Sequence, residues 1–148
     1  VIYFMFKIHS IAGRMFIGII IGLVVGSLAI VMLPTLGFSL FSMFGFGTLL
    51  VFILMGLTLG LVGMFDRHPV FGFSMRWWIR GAVVGFLFTL MYILLGYSSL
   101  EVVMASNLVS WMGFSSPFWA LIDGILIGLF MGWMETKFAG EGSSLPLV

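Results

Sequence analysis

The chain has 148 residues, of which 62% are hydrophobic and 7% charged, with a formal net charge of +1 and a mean hydropathy of +1.30. A water-soluble domain carries about 25% charged residues, so a chain this poor in charge cannot cover its own surface against water, and its solvent is lipid. The small net charge argues against nucleic acid as a partner, and the lack of cysteine excludes disulfides, thiolate metal sites and thiol nucleophiles.

Four apolar runs approach the ~20 residues that a helix needs to cross a hydrocarbon core. The first, 15–33, follows Lys7 and Arg14 and stops at Pro34. It is longer than a signal-peptide core and no Ala-x-Ala site closes it, so it reads as a retained membrane helix. The second, 48–65, ends at Asp66-Arg67-His68-Pro69, and the third covers 78–96. The fourth, 117–134, opens with Ser115 and Ser116 as caps and Pro117 at the first helical position. Runs this unbroken lack the alternation of barrel strands, and backbone in lipid must satisfy its own hydrogen bonds, so all four read as helices. The expected fold class is all-α integral membrane: one domain over 1–148, a bundle of four transmembrane helices.

The basic residues Lys7, Arg14, Arg67, Arg76, Arg80 and Lys137 all fall on one side of a four-crossing chain. The positive-inside rule makes that side cytoplasmic, with both termini there and these six as interface anchors, in a bacterial or archaeal plasma membrane. Trp77, Trp78 and Trp133 suit the inner aromatic belt, and Trp111 and Trp119 the outer one. Arg80 lies one turn inside its helix and is expected to snorkel back to the interface. Asp66 with Arg67, and Glu135 with Lys137, read as solvated charges at helix ends.

Between the third and fourth runs, Ser98-x-x-Glu101 has the form of a capping box. Leu100, Val103, Met104, Leu108 and Trp111 then recur at helical spacing. This predicts an amphipathic helix over 99–112, lying flat on the outer leaflet or packed as a cover on the bundle.

At an offset of 68 residues the second half of the chain partly repeats the first. Leu40/Leu108, Ser42/Ser110, Gly45/Gly113, Phe46/Phe114, Gly56/Gly124, Gly60/Gly128 and Leu61/Leu129 coincide, seven identities in the 26 pairs from Leu40 to Phe65. The first and third helices align more weakly, Gly18 with Gly81 and Gly22 with Gly85. Two tandem hairpins would form a parallel repeat; the competing reading is that glycine-rich apolar helices simply resemble one another.

Each helix carries small residues four apart: Gly18, Gly22 and Gly26; Gly56 and Gly60; Gly81 and Gly85; Gly124, Gly128 and Gly132. Lipid is as apolar as leucine, so close backbone approach, which glycine permits, is what holds such helices together. The stripes concentrate toward the cytoplasmic half. The helices should therefore splay at the outer face, where Phe44, Phe46, Tyr92, Tyr97, Phe118 and Trp119 are available as filling.

Asp123 is the conspicuous acid, six residues into the fourth run and beside its glycine ladder. A carboxylate within hydrocarbon costs a few kcal/mol, so it is expected to face the bundle or a wet cavity. Tyr92, Tyr97, Asn107 and Thr89 are its expected partners, with Glu101 above it; together they form a candidate polar or ion site. A hydrogen-bonded structural acid or a contact to a partner's helix is the plainer reading. His9 and His68 lie outside the helices and suit a metal or haem site poorly. No catalytic grouping, metal-binding cluster or cofactor motif appears.

Two functions follow. The first is a non-catalytic structural or accessory subunit that packs, through glycine-rich and aromatic helix faces, on other membrane chains or on its own copies. The second is a small-solute or ion pathway with Asp123 in an outward-facing cavity.

Overall fold

The computed structural model describes residues 7–148. It contains four helices, α1 (Ile11–Val31), α2 (Met43–Val62), α3 (Trp77–Ala105) and α4 (Ala120–Ala139), each long and apolar enough to cross a membrane. Among the described residues there is no strand, only an isolated bridge between Arg67 and Ser74 in the α2–α3 loop.

Serine caps set three of the helix starts. Ser10 Oγ accepts the Gly13 amide at 2.9 Å and donates to the Lys7 carbonyl at 2.5 Å, which opens α1 four residues earlier than hydropathy alone implies. Ser42 caps α2 through the Gly45 amide at 3.1 Å. Ser116 accepts from the Phe118 amide at 3.4 Å, and the turn Pro117–Trp119 that it opens is 3₁₀ and leads into α4. α1 is closed by a 3₁₀ turn, Leu33–Leu36, containing Pro34 and ending on left-handed Gly37 (φ 87°).

The helix expected over 99–112 is formed in part: at Gly96 (φ −111°, ψ 22°) the backbone of α3 is non-helical, a second helical stretch runs from there to Ala105, and a short 3₁₀ turn follows at Ser110–Met112. Glycine lets the axis kink without ending the hydrogen-bonded ladder. Ser98 thus sits inside a helix instead of capping one. Leu100 and Met104 bury against the bundle while Glu101 faces outward.

The helices pack as two close pairs, α1 with α2 and α3 with α4, and all ten stripe glycines are buried. Gly18 and Gly56 meet so closely that a β-carbon on either would overlap the other's carbonyl. One turn away, a β-carbon at Gly60 would fall 2.6 Å from the Met15 Cα. In the second pair Gly81 lies against Gly128, and Gly85 against Gly124. Between the pairs Met55, Leu59, Val84 and Met131 form a closed apolar core, flanked by Phe52 and Phe88.

The tail beyond α4 turns back across the ends of the helices. Its Pro146 and Leu147 carbonyls accept the Ile11 and Ala12 amides at 2.9 and 3.0 Å. These amides belong to the first turn of α1 and have no partner within the helix. Gly142 donates to the Gly63 carbonyl at 2.9 Å, and the Ser143 amide to Asp66 Oδ2 at 3.1 Å. The start of α1 and the end of the chain therefore lie at the same end of the bundle.

Candidate functional site

The charges of the bundle collect where the tail crosses it. Arg14, Arg80 and Glu135 are 1%, 2% and 0% exposed. Arg14 and Arg80, expected as surface anchors, and Glu135, expected as a solvated end charge, are instead interior residues. Helix boundaries explain this. α1 starts before Arg14 and α4 runs on to Ala139, so both groups fall inside packed helix.

Each guanidinium spreads its donors over backbone that no helix can satisfy. Arg14 gives Nε to the Gly60 carbonyl at 3.3 Å, Nη1 to Gly140 and to Thr136 Oγ1 (3.5 Å), and Nη2 to Glu135 Oε2 at 3.3 Å. Gly60 and Gly140 lie at the carboxyl ends of α2 and α4, where unpaired carbonyls and the helix dipole favour a cation. Arg80 donates to the Phe65 carbonyl at 2.9 Å and the Met75 carbonyl at 2.5 Å, and pairs with Glu141 of the tail. With carbonyls this near, the snorkelling expected of Arg80 is unnecessary. Gly63 makes room for the Arg14 side chain, which occupies the space of any β-carbon there.

Glu135 Oε1 is buried and has no hydrogen-bond partner among the described residues. It lies over the α1–α2 crossing, 2.5 Å from where a Gly18 β-carbon would stand. Gly18 therefore admits both the Gly56 backbone and this carboxylate. Outside the helices, Asp66 accepts from the Ser143 hydroxyl and amide, which hold its carboxyl below the usual aspartate range; the Arg80 charge acts in the same direction.

The residues expected to form a polar site around Asp123 are not brought together. Asp123 faces outward from the first turn of α4, so the inward orientation expected for it is not found. The turn before it is 3₁₀, which places the carboxylate close to the helix N-terminus, where a negative charge is favoured. Thr89 packs on Gly124 instead. Tyr92 stacks on Phe44 (centroids 5.8 Å) and shares a 2.6 Å hydrogen bond with Thr48. Tyr97 meets Phe118, while Glu101 and Asn107 are exposed and line two different surface depressions. All six expected fillers of the far end make ring contacts, Phe44 with Tyr92, Tyr97 with Phe118, Phe46 with Phe41 and Trp119 with Phe114, but Phe46, Tyr97, Phe118 and Trp119 remain exposed.

The cluster is electrically closed: two guanidiniums face two carboxylates. Among the described residues no three His, Asp or Glu side chains gather as a metal site would require. Its chemistry is that of a clasp, joining α1 to α4 and α3 to the tail. No protein-family model, curated protein or solved structure matches the chain.

Proposed function

We propose that the protein is a non-catalytic structural or accessory subunit of a membrane, anchored by four spanning helices and packing on other membrane chains or on its own copies. One observation carries this reading: the space between the two helix pairs is filled at mid-depth by Met55, Leu59, Val84 and Met131, all buried. A pathway for a solute would have to pass there. The internal charges balance one another in the clasp, with Glu135 Oε1 the buried side-chain oxygen left without a hydrogen-bond partner among the described residues.

The finer organisation belongs to the same proposal. The two pairs are tandem hairpins of one parallel repeat, each crossing on glycines: Gly18 on Gly56 in the first, Gly81 on Gly128 and Gly85 on Gly124 in the second. The clasp end, with all six basic residues near it, is the cytoplasmic end, by the positive-inside rule. The segment of α3 beyond Gly96 lies at the opposite interface with Glu101 toward water.

Solubilisation in a mild detergent, followed by mass measurement of the intact particle, tests the reading. A stable homo-oligomer or a stoichiometric second chain is the expected result; a monodisperse monomer with no companion chain would refute it. Ion or solute flux in liposomes that depends on Asp123, abolished by Asp123→Asn, would replace it with the pathway reading.

A further inference from the structure

The geometry points to a binding site for one anionic phospholipid in the cleft between α2, α3 and the loop that joins them. The cleft has a volume of about 380 Å³ and apolar walls, with Thr58 and Val62 on α2 and Val83, Leu87 and Phe88 on α3. Along α3 it extends from Ile79 to Phe88, about 14 Å at 1.5 Å per residue. That is close to half of a ~30 Å hydrocarbon core, the depth of a single leaflet. A spanning helix from another chain would need twice the length; one acyl chain fits.

What distinguishes the cleft from ordinary lipid-facing surface is its mouth. The loop Asp66–Met75 gathers His68, Phe71 and Phe73 into a triangle of rings, with the His68 centroid 4.9 Å from Phe71 and 5.1 Å from Phe73 and the two phenyl rings 6.5 Å apart. All three rings line the cleft. Val70 and Phe71 are 79% and 76% exposed at the tip of the loop, apolar groups placed where the helices emerge. His68 Nδ1 accepts the Val70 and Phe71 amides at 3.2 and 3.1 Å. Its ring proton is thus on Nε2, a donor suited to a phosphate or ester oxygen.

Two cations adjoin residues of this mouth along the chain, Arg67 next to His68 and Arg76 next to Met75. Arg67 and Arg76 are exposed and neither pairs with an acid among the described residues. Arg67 makes only a long contact, 3.5 Å, with the Gly72 carbonyl. The neighbouring acid, Asp66, is turned to Ser143, and Arg80 in the cleft wall is taken by Glu141 and two carbonyls. An anionic headgroup would meet Arg67 and Arg76 with no acid to displace, and basic groups at this depth favour anionic lipid.

Reconstitution of the full chain in nanodiscs of equimolar phosphatidylglycerol and phosphatidylcholine, then native mass spectrometry of the released protein, tests the site. One retained phosphatidylglycerol, favoured over phosphatidylcholine about tenfold or more, is expected from two added cationic contacts. Arg67→Gln with Arg76→Gln should abolish the preference, and Val83→Trp, which fills the cleft, should remove the retained lipid. Both arginines lie on exposed backbone outside the packed core, so the first variant reads binding even where the second fails to fold. Equal retention of the two lipids by the native chain would overturn the proposal. So would an unchanged preference in the arginine variant, or a polypeptide crosslinked from position 71 in native membranes.

Discussion

Arg14 of α1 and Glu135 of α4 meet at 3.3 Å in the interior of the bundle, between helices that are first and last in the chain. Two charges out of water gain stability from one another only while both are present. Removing one leaves the other uncompensated, at a cost of about 3–5 kcal/mol. Glu135→Ala and Arg14→Ala should therefore each unfold the protein at a much lower mole fraction of SDS in mixed micelles. Arg14→Met combined with Glu135→Leu should recover most of that loss, since an apolar pair of similar volume removes both penalties. A double variant as unstable as the worse single one would show that the backbone contacts of Arg14, not the pair, dominate.

The helix crossings divide the glycines into two kinds. Gly18 and Gly56 have each other's backbone where a β-carbon would go, whereas Gly47, also inside a helix, has open space. Gly18→Ala and Gly56→Ala should each destabilise by about 1–3 kcal/mol through overpacking. Gly47→Ala should stabilise by up to about 1 kcal/mol, the ordinary helix preference for alanine. The same SDS titration separates them by sign. Stabilisation by Gly18→Ala would contradict the crossing geometry.

The four helices were legible because long apolar runs bounded by charge and proline admit few other structures, and the glycine spacing is readable from the chain itself. The clasp was not, and the reason is small. Hydropathy placed the fourth helix end at 134 and the first helix start at 15; Ser10 and the tail extend packed helix by four or five residues at each of these places. Arg14 and Glu135 thereby pass from edge to interior. Hydropathy also cannot see that Glu141 and the carbonyls of Gly60, Phe65, Met75 and Gly140 converge from four separate segments. Asp123 drew attention for the opposite reason, as an acid in an apolar run. Helical rotation relative to Gly124 decided its face, and composition carries no information on that.

At the other end of the bundle the hairpins are joined by Tyr92 and Thr48, whose hydroxyls lie 2.6 Å apart; Thr48 donates to the Phe44 carbonyl at 2.7 Å and so accepts from Tyr92. Hydrogen bonds between membrane helices average about 0.6 kcal/mol. Tyr92→Phe keeps the stack on Phe44 and should cost about that much. Tyr92→Ala also loses the ring and leaves a cavity, a loss of about 3 kcal/mol or more. Equal losses for the two would mean that the hydroxyl, not the ring, holds the hairpins together at this end.

Asp66 ties the tail to the α2–α3 loop through Ser143, and the tail in turn caps α1 and carries Glu141 to Arg80. The two hydrogen bonds favour the charged carboxylate, so its pKa in the docked state lies below the value for a free aspartate. The sign follows from linkage. A depressed pKa contributes stability that is fully present above the undocked value and is lost as pH falls through the docked one. Exchange of the Ser143 amide, corrected for its intrinsic rate, should be slow and constant at neutral and mildly acidic pH. It should accelerate only below the ordinary aspartate range. Asp66→Asn should remove this dependence and leave the amide less protected at neutral pH, because a neutral amide oxygen is a weaker acceptor than a carboxylate. Loss of protection on raising the pH from mildly acidic to neutral would carry the opposite sign. The tail would then be held by some group other than Asp66, and release of the clasp by acid would have to begin elsewhere.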